Sequence, residues 1–367
     1  IILLKMGVLE RIQEIENEMA RTQKNKKTEY HIGCLKARLA KLRKELLAPK
    51  TSTVSGDSFE VQKTGDARVT FIGFPSVGKS TLLSKITTTE SKAAAHEFTT
   101  LDCISGKLDY KGAKIQVLDL PGIIKGAAQG VGRGKQVIGV ARTSDLILML
   151  LDPRRPEDRI VLEKELYDMG IRLNAKKPDV TVTITNSGGV SVNTTVNLTK
   201  TDENMIKLIF KEYKINNCMI VIRDDVTVDE IIDVISDSVV YINCLYCYNK
   251  IDSISYESLV YHGDLPNSVA ISSRRGWNFD ELYEKIWEMI DLKRVYTKKR
   301  GEFPDLNNPL VIKGEGTVKA VCLKLHRDFV QNFKYALVWG ASAKHQPQKV
   351  GLNHKIADED VLQVYTS

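Results

Sequence analysis

Residues 68–87 read RVTFIGFPSVGKSTLLSKIT. An apolar run of strand length, VTFIGF, leads into a loop with two glycines, and the loop leads into helix-prone STLLSKIT. Gly73 to Ser80 matches G-x-x-x-x-G-K-[ST] in the strand, loop and helix setting that lets this pattern hold phosphate. The expected cradle is Gly73, Pro75, Ser76, Val77, Gly78 and, on the first helical turn, Thr81. The two glycines let the backbone wrap so that its N–H groups point at phosphate oxygens. Lys79 then neutralises the β and γ oxygens, and the Ser80 hydroxyl ligates Mg²⁺.

Three stretches downstream have the chemistry such a loop needs. IQVLDLPG, residues 115–122, reads as a buried strand ending at Asp119, whose carboxylate is placed to hold a magnesium-bound water. Gly122 offers its backbone N–H to the γ-phosphate. Between the two, EFTTLDCISG holds Thr99 and Thr100. A threonine there completes the metal's coordination and orders its loop only while the γ-phosphate is present, and Thr100 is the preferred candidate. Lys79, Thr100 and Gly122 are therefore the expected catalytic groups. NKID at 249–252 decides the base, because the Asp252 carboxylate accepts from both N1–H and the exocyclic amine of guanine. Adenine would leave that acceptor unpaired, so GTP and GDP are the expected ligands rather than ATP. Asn249 is placed to brace the phosphate loop and Lys250 to lie along the base. Ser272 and Ser273, in SVAISSRRGWN, are placed to close the guanine pocket.

Further out, LILMLLD, VYINCLYCYNKID and SVAISS read as more buried strands separated by helical stretches. That pattern predicts an α/β fold with a doubly wound, mostly parallel sheet and ligands at the carboxyl ends of its strands. Asp152 and Asn249 end neighbouring strands yet lie almost a hundred positions apart, where a strand, crossover helix and strand need about 30. A small α/β domain is therefore expected inside the nucleotide-binding one. Within it DVTVTITNSGGVSVNTTVNLT alternates like a hairpin turning at Gly188 and Gly189, and Thr227 with Glu230 forms a capping box. The expected organisation is a basic helical hairpin at 1–50, broken between Gln23 and Gly33, then a first nucleotide-binding part at 66–169. The insert follows at 170–238, the second nucleotide-binding part at 239–291 and a compact α+β module at 292–367. In that last module VCLKLHRDF reads as strand merging into helix.

The 367 residues carry a net charge of +7, divided as +6 over 1–50, −5 over 51–291 and +6 over 292–367. Basic ends suggest a polyanionic partner such as RNA, or simply solvated faces, and the acidic middle argues against DNA. Six scattered cysteines suit a reducing, cytoplasmic setting, and no apolar run approaches the ~20 residues of a membrane span. Met6 reads as the natural start. Cys244 and Cys247 form a single C-x-x-C inside a predicted strand and read as core thiols rather than a zinc site. The tryptophans at 277, 287 and 339 read as packing residues rather than base-stacking platforms. Arg133 and Lys135, in a glycine-rich stretch after Gly122, read as solvated loop charges in preference to phosphate contacts.

The series GFPSVGKS, EFTTL, DLPG, NKID and ISS resembles the developmentally regulated GTP-binding (DRG) proteins, Obg-related GTPases of the translation-factor class. The resemblance covers nearly the whole chain and implies a C-terminal TGS module with a ubiquitin-like fold, ending in GASAKHQPQKVGLNHKIADEDVL. It also implies association with the ribosome or ribosomal RNA and a dedicated regulatory protein. Members of the family carry a hydrophobic residue where Ile123 stands, in place of a water-orienting glutamine. Slow intrinsic hydrolysis is therefore expected, stimulated by a partner or by K⁺. Ser76 stands where many related cation-stimulated GTPases have asparagine. The competing expectation is a GTP-dependent RNA- or ribosome-binding scaffold with negligible turnover.

Overall fold

The computed structural model describes residues 7–23, 25–47, 63–87, 104–119, 134–236 and 239–366. Thr99, Thr100, Gly122, Ile123 and Arg133 lie outside them, and Lys135 falls where only the backbone is described. The chain forms two compact units, one of residues 60–122, 143–159 and 243–367, the other of 1–59, 123–142 and 160–242.

In the first unit the elements in chain order are β1 (Ala67–Ile72), α3 (Lys79–Ile86), β2 (Ile104–Tyr110), β3 (Ala113–Asp119), β4 (Leu146–Leu151), β9 (Val240–Tyr248), α8 (Tyr256–Gly263), β10 (Ser268–Ala270) and α9 (Phe279–Ile290). The strands order as β10-β9-β4-β1-β3-β2. All pairs are parallel except β2 with β3, which run antiparallel. β1 and β4 are buried at every position, as strands covered on both faces must be. The core between sheet and helices is built from Phe71, Leu82, Val117, Leu148, Leu245 and Ile286 with their neighbours. Because the strands are parallel, Asp119 at the last position of β3 and Gly73, Asp152, Asn249 and Ser272 just after β1, β4, β9 and β10 all lie at the carboxyl ends of the strands, on both sides of β1.

β2 was not apparent from the sequence pattern. Its register with β3 runs from Ile104 opposite Asp119 to Tyr110 opposite Ala113. Gly106 and the exposed Lys107 and Asp109 dilute its alternation, which is how a sheet edge is kept from pairing with other chains.

The same unit holds β11 (Leu292–Thr297), β12 (Asp305–Lys313), α10 (Val318–Leu325), α11 (Asp328–Gln331), β13 (Phe333–Trp339), β14 (Gln348–Val350) and β15 (Asp360–Thr366). Their sheet orders as β12-β11-β15-β13-β14, with α10 packed on one face through Val318, Val321 and Cys322. The expected strand at VCLKL is this helix. Thr317 caps it by accepting from the Ala320 N–H, and its buried residues fall at i, i+3 and i+4, a helical spacing that a short apolar run cannot distinguish from strand.

The second unit contains α1 (Val8–Arg21), α2 (Glu29–Leu47), α4 (Gly134–Thr143), α5 (Glu157–Asp168), β5 (Ile171–Leu173), β6 (Val180–Ile184), β7 (Val190–Thr194), α6 (Glu203–Glu212), β8 (Cys218–Ile222) and α7 (Val228–Ile235), with the ends of α4, α5 and β9 passing from one unit to the other. Two expectations are corrected here. β6 and β7 do not form a hairpin. The apolar β8 lies between them, antiparallel to β6 and parallel to β7, and so takes the central position that buries Cys218, Ile220 and Ile222. Gly33 does not break the helical hairpin either. The Asn25 side chain accepts from the backbone N–H of Lys27 and Thr28, which makes the turn, and α2 begins at Glu29. Gly33 lies within α2, at a point where a Cβ would come within 2.6 Å of the Met205 sulfur on α6, so the close packing of the two helices favours glycine there.

Among the described residues no helix is long and apolar enough to cross a membrane. Cys244 and Cys247 are fully buried, and no group of three His, Cys, Asp or Glu suited to a metal occurs among those residues.

Candidate functional site

The loop from Gly73 to Gly78 joins β1 to α3. Its path requires small residues at two points. A Cβ on Gly73 would meet the Leu150 carbonyl oxygen at 2.6 Å, and one on Gly78 would meet Asn249 Nδ2 at 2.3 Å. Gly78 also takes φ +99°, in the left-handed region that favours glycine. Ser76 adopts φ +65° in the same loop. Val77 is buried as the loop's apolar anchor, and Gly78 precedes α3, so the helix's free N–H groups and the positive end of its dipole face this concavity. Ser80 and Thr81 stand in the first turn.

Lys79 is nearly buried, and its ammonium donates to the carbonyl oxygens of Gly73, at 2.8 Å, and Phe74, at 3.0 Å. Burial lowers its pKa, partly opposed by Asp119. Asp119, at the end of β3, has its pKa raised by burial, with Lys79 and the Ser80 hydroxyl pulling the other way. The Ser80 Oγ donates to Asp119 Oδ2 at 3.4 Å, while Oδ1 is buried with no hydrogen-bond partner. Leaving a buried acceptor unpaired costs about 1–3 kcal/mol. A carboxylate oxygen and a hydroxyl together are a hard oxygen donor set, so these residues fit Mg²⁺.

Asn249 ties three segments together. Its Nδ2 donates to the Val77 carbonyl at 2.8 Å, and its Oδ1 accepts from the backbone N–H groups of Lys250, at 2.8 Å, and Ser273, at 2.9 Å. Lys250 sits at φ +68° at the start of a short turn of helix, Ile251–Ser253, which leaves the Asp252 carboxylate in solvent. Ser272 Oγ donates to Asp252 Oδ1 at 2.6 Å, and that bond leads the effects holding the Asp252 pKa down. Ser272 Oγ in turn accepts from the Arg275 N–H. The carboxylate is thus ionised and oriented, as an acceptor for two donors on a ligand must be. Ser273 is buried, and its hydroxyl has no partner.

Two residues without a motif belong to this cluster. Asp152, the residue after β4, accepts from Lys250 Nζ at 3.0 Å and from both Nε and Nη2 of Arg154. Those bonds, chiefly from Arg154, hold its carboxyl well below the usual carboxylate range despite burial. The signal for Asp152 was present as a carboxylate ending a wholly apolar strand. Its partner, however, lies 98 positions away and is found only through the register that pairs Leu151 with Tyr248.

Residues 68–187 match the family described as 50S ribosome-binding GTPase, residues 187–292 the C-terminal region of that domain, and residues 293–366 the TGS domain. Over 361 residues the chain is 54% identical to human developmentally-regulated GTP-binding protein 2, covering 98% of this chain and 99% of that protein. The chain belongs to the developmentally regulated GTP-binding protein family. The Dictyostelium discoideum homologue of that protein is 55% identical with the same coverage, and GTP-binding protein 1 of Schizosaccharomyces pombe is 55% identical over 363 residues, covering 98% of this chain and all of that one. Among solved structures, a GTP binding protein from Pyrococcus horikoshii aligns over 82% of this chain and all of its own at 13% identity, with a TM-score of 0.41. As a DRG protein with a P-loop GTPase domain and a TGS domain, the chain binds guanine nucleotide and is a GTPase.

Proposed function

We propose that this DRG GTPase is a ribosome-associated switch with slow intrinsic hydrolysis, accelerated by a regulatory protein or by K⁺. The observation that carries the ribosomal part is the match of residues 68–187 to a family described as ribosome-binding. The +6 charge at each end of the chain supports it, since ribosomal RNA is a polyanion. In this reading the modules at 1–50, 170–238 and 292–367 meet partners, and the parts at 66–169 and 239–291 bind nucleotide.

In the site, the loop from Gly73 through Pro75, Ser76, Val77 and Gly78 to Thr81 receives the phosphates with its N–H groups, and Lys79 turns its ammonium onto the β and γ oxygens. Ser80 and Asp119, the latter through water, hold Mg²⁺ together with Thr100. The metal, when bound, neutralises charge on the transferring phosphoryl group. Gly122 donates to the γ-phosphate, Asp252 accepts from the guanine edge, and Lys250 lies along the base under the restraint of Asp152. Ser272 and Ser273 close the pocket. Asn249 keeps base loop and phosphate loop in fixed relation.

GTP turnover measured with and without ribosomes, in potassium and in sodium buffer, tests this. Ribosomes should raise the rate and Lys79→Ala should abolish phosphate release. Equal turnover with and without ribosomes would remove the ribosomal part, and equal rates in the two salts would remove the ion. If no Lys79-dependent release occurred at all, a GTP-dependent scaffold would remain. Asp252→Asn should weaken guanine nucleotide binding and spare xanthine nucleotide.

A further inference from the structure

In the three-stranded sheet of the second unit β6 occupies an edge, and among the described residues it pairs with β8 alone. The Thr185 N–H donates to the Asn217 carbonyl, and the Asp179 carbonyl accepts from the Arg223 N–H, so the odd-numbered residues turn their backbone groups towards β8. Successive residues of an antiparallel strand alternate in this respect. The backbone groups of Val180, Val182 and Ile184 therefore point to the open edge, where the Val180 N–H donates back to the Pro178 carbonyl.

Edge strands are ordinarily guarded by lysine, proline, a bulge or an inward-pointing charge. β6 has none of these. It reads VTVTI, no charged residue or proline occurs from 180 to 189, and its register with β8 runs unbroken from Val180 to Ile184. Lys177 and Pro178 stop just short of it. Val180 and Val182 pack on the core of the insert, while Ile184, on the same side of the sheet by the two-residue period, is 75% exposed. Thr181 and Thr183 are exposed on the opposite side.

VTVTI has the same order of side-chain types in either direction. Turned about a two-fold axis through Val182, an antiparallel second copy sets Val182 opposite Val182, Thr181 opposite Thr183 and Val180 opposite Ile184. Cross-strand threonine pairs and β-branched pairs are among those that stabilise sheets. The two Val182 residues then exchange both backbone hydrogen bonds, the Ile184 N–H reaches the Val180 carbonyl of the second copy, and the exposed Ile184 side chain is covered. Beyond the strand Asp179 faces Thr185 and Lys177 faces Ser187, so no like charges meet. The other edge lacks this symmetry, because about Val192 β7 would set Val190 against Thr194 and Ser191 against Asn193.

We propose that β6 is a self-association edge, through which two copies of this chain join as a two-fold dimer with one continuous six-stranded sheet, ordered β7-β8-β6-β6-β8-β7. Such an isologous contact closes on itself and stops at two copies. A strand pair five residues long is small beside the ~1,200–2,000 Å² buried in stable complexes, so the dimer is reversible and depends on concentration. No residue of the nucleotide site takes part.

Sedimentation velocity of the full chain over a concentration series tests this, and the parent should pass from monomer to dimer as concentration rises. Val182→Pro removes the donor at the axis, at an edge position where proline is tolerated because β8 does not use that N–H. It should leave monomer throughout. Thr181→Lys/Thr183→Lys sets lysine opposite lysine on an exposed face and should raise the dimer dissociation constant about tenfold or more. GTP turnover, read in parallel, should match the parent in each variant and shows that they fold. Under mild oxidation, Thr181→Cys and Thr183→Cys chains should cross-link when mixed and neither should do so alone, because residue 181 of one copy faces 183 of the other. A parent that stays monomeric at every concentration would overturn the proposal. So would a dimer that survives both Val182→Pro and the lysine pair, which would place the contact on another surface, or one in which each cysteine variant cross-links with itself.

Discussion

At the scale of single residues, the loop around Gly78 has almost no freedom. Alanine at this position would bring Cβ to 2.3 Å from Asn249 Nδ2 and hold a non-glycine residue at φ +99°. Either the helix start or Asn249 must give way, and Asn249 is what joins Val77 to Ser273. Gly78→Ala should therefore weaken GTP and GDP binding by at least tenfold, measured by equilibrium titration with fluorescent nucleotide; affinity within twofold of the parent would show that the loop can relax. Asp152→Asn removes the charge from the acceptor of Lys250. A charge-assisted bond to a group one-third exposed is worth less than a buried one. The nucleotide dissociation constant should rise about threefold to tenfold, with little change in turnover at saturating GTP. Had turnover fallen and affinity stayed put, Asp152 would act elsewhere. Phosphate and base chemistry demand particular residue types at short spacings, so the motif residues could be read directly from the chain. Asp152 acts through a partner that only the sheet brings near, and no local spacing announces it.

At the scale of elements, the parallel sheet was legible because strands buried on both faces are continuous apolar runs, as in LILMLL. The elements whose pairing the sequence pattern does not decide all sit where one pattern serves two geometries. Alternation in β6 and β7 is the same whether they pair with each other or with β8 between them, and the sequence has no term for the strand that arrives 24 residues later. Gly33 illustrates the opposite error, where a residue that weakens helices in isolation is retained by packing. Its missing side chain lets α2 approach Met205 on α6. Gly33→Val should lower the thermal midpoint, with an overpacking cost of about 1–3 kcal/mol. Truncating the neighbour in Gly33→Val/Met205→Ala should recover part of that loss relative to the sum of the single changes. Strict additivity of the two would mean that the side chains do not meet.

At the scale of the whole molecule, the TGS module is bound to the end of the GTPase sheet away from the nucleotide loops. Leu292 and Val311 enter the GTPase core, Pro309 packs on Gly112 so closely that a Cβ there would lie 2.6 Å from its ring, and Lys324 pairs with Asp66. The centre of this contact is Asp145, just before β4. It accepts from Lys313 of the TGS sheet, from Lys63 and from the Arg68 backbone N–H. Burial alone would raise its pKa, but the bonds from Lys313, Lys63 and Arg68 outweigh that and leave it below the ordinary carboxylate value. A carboxyl with a lower pKa folded than unfolded adds stability that is complete above its unfolded value, about 3.9, and is lost as pH falls through its folded one. Asp145→Asn lacks that titration. The parent should therefore have the higher thermal midpoint at pH 7, and the gap between parent and variant should narrow as pH is lowered from 5 towards 3. Amide exchange in β12 should be faster in the variant at pH 7, because Lys313 at its end has lost its charged partner. A gap that stays constant across that pH range would mean that Asp145 stabilises the contact through hydrogen bonds its amide keeps, and not through its charge.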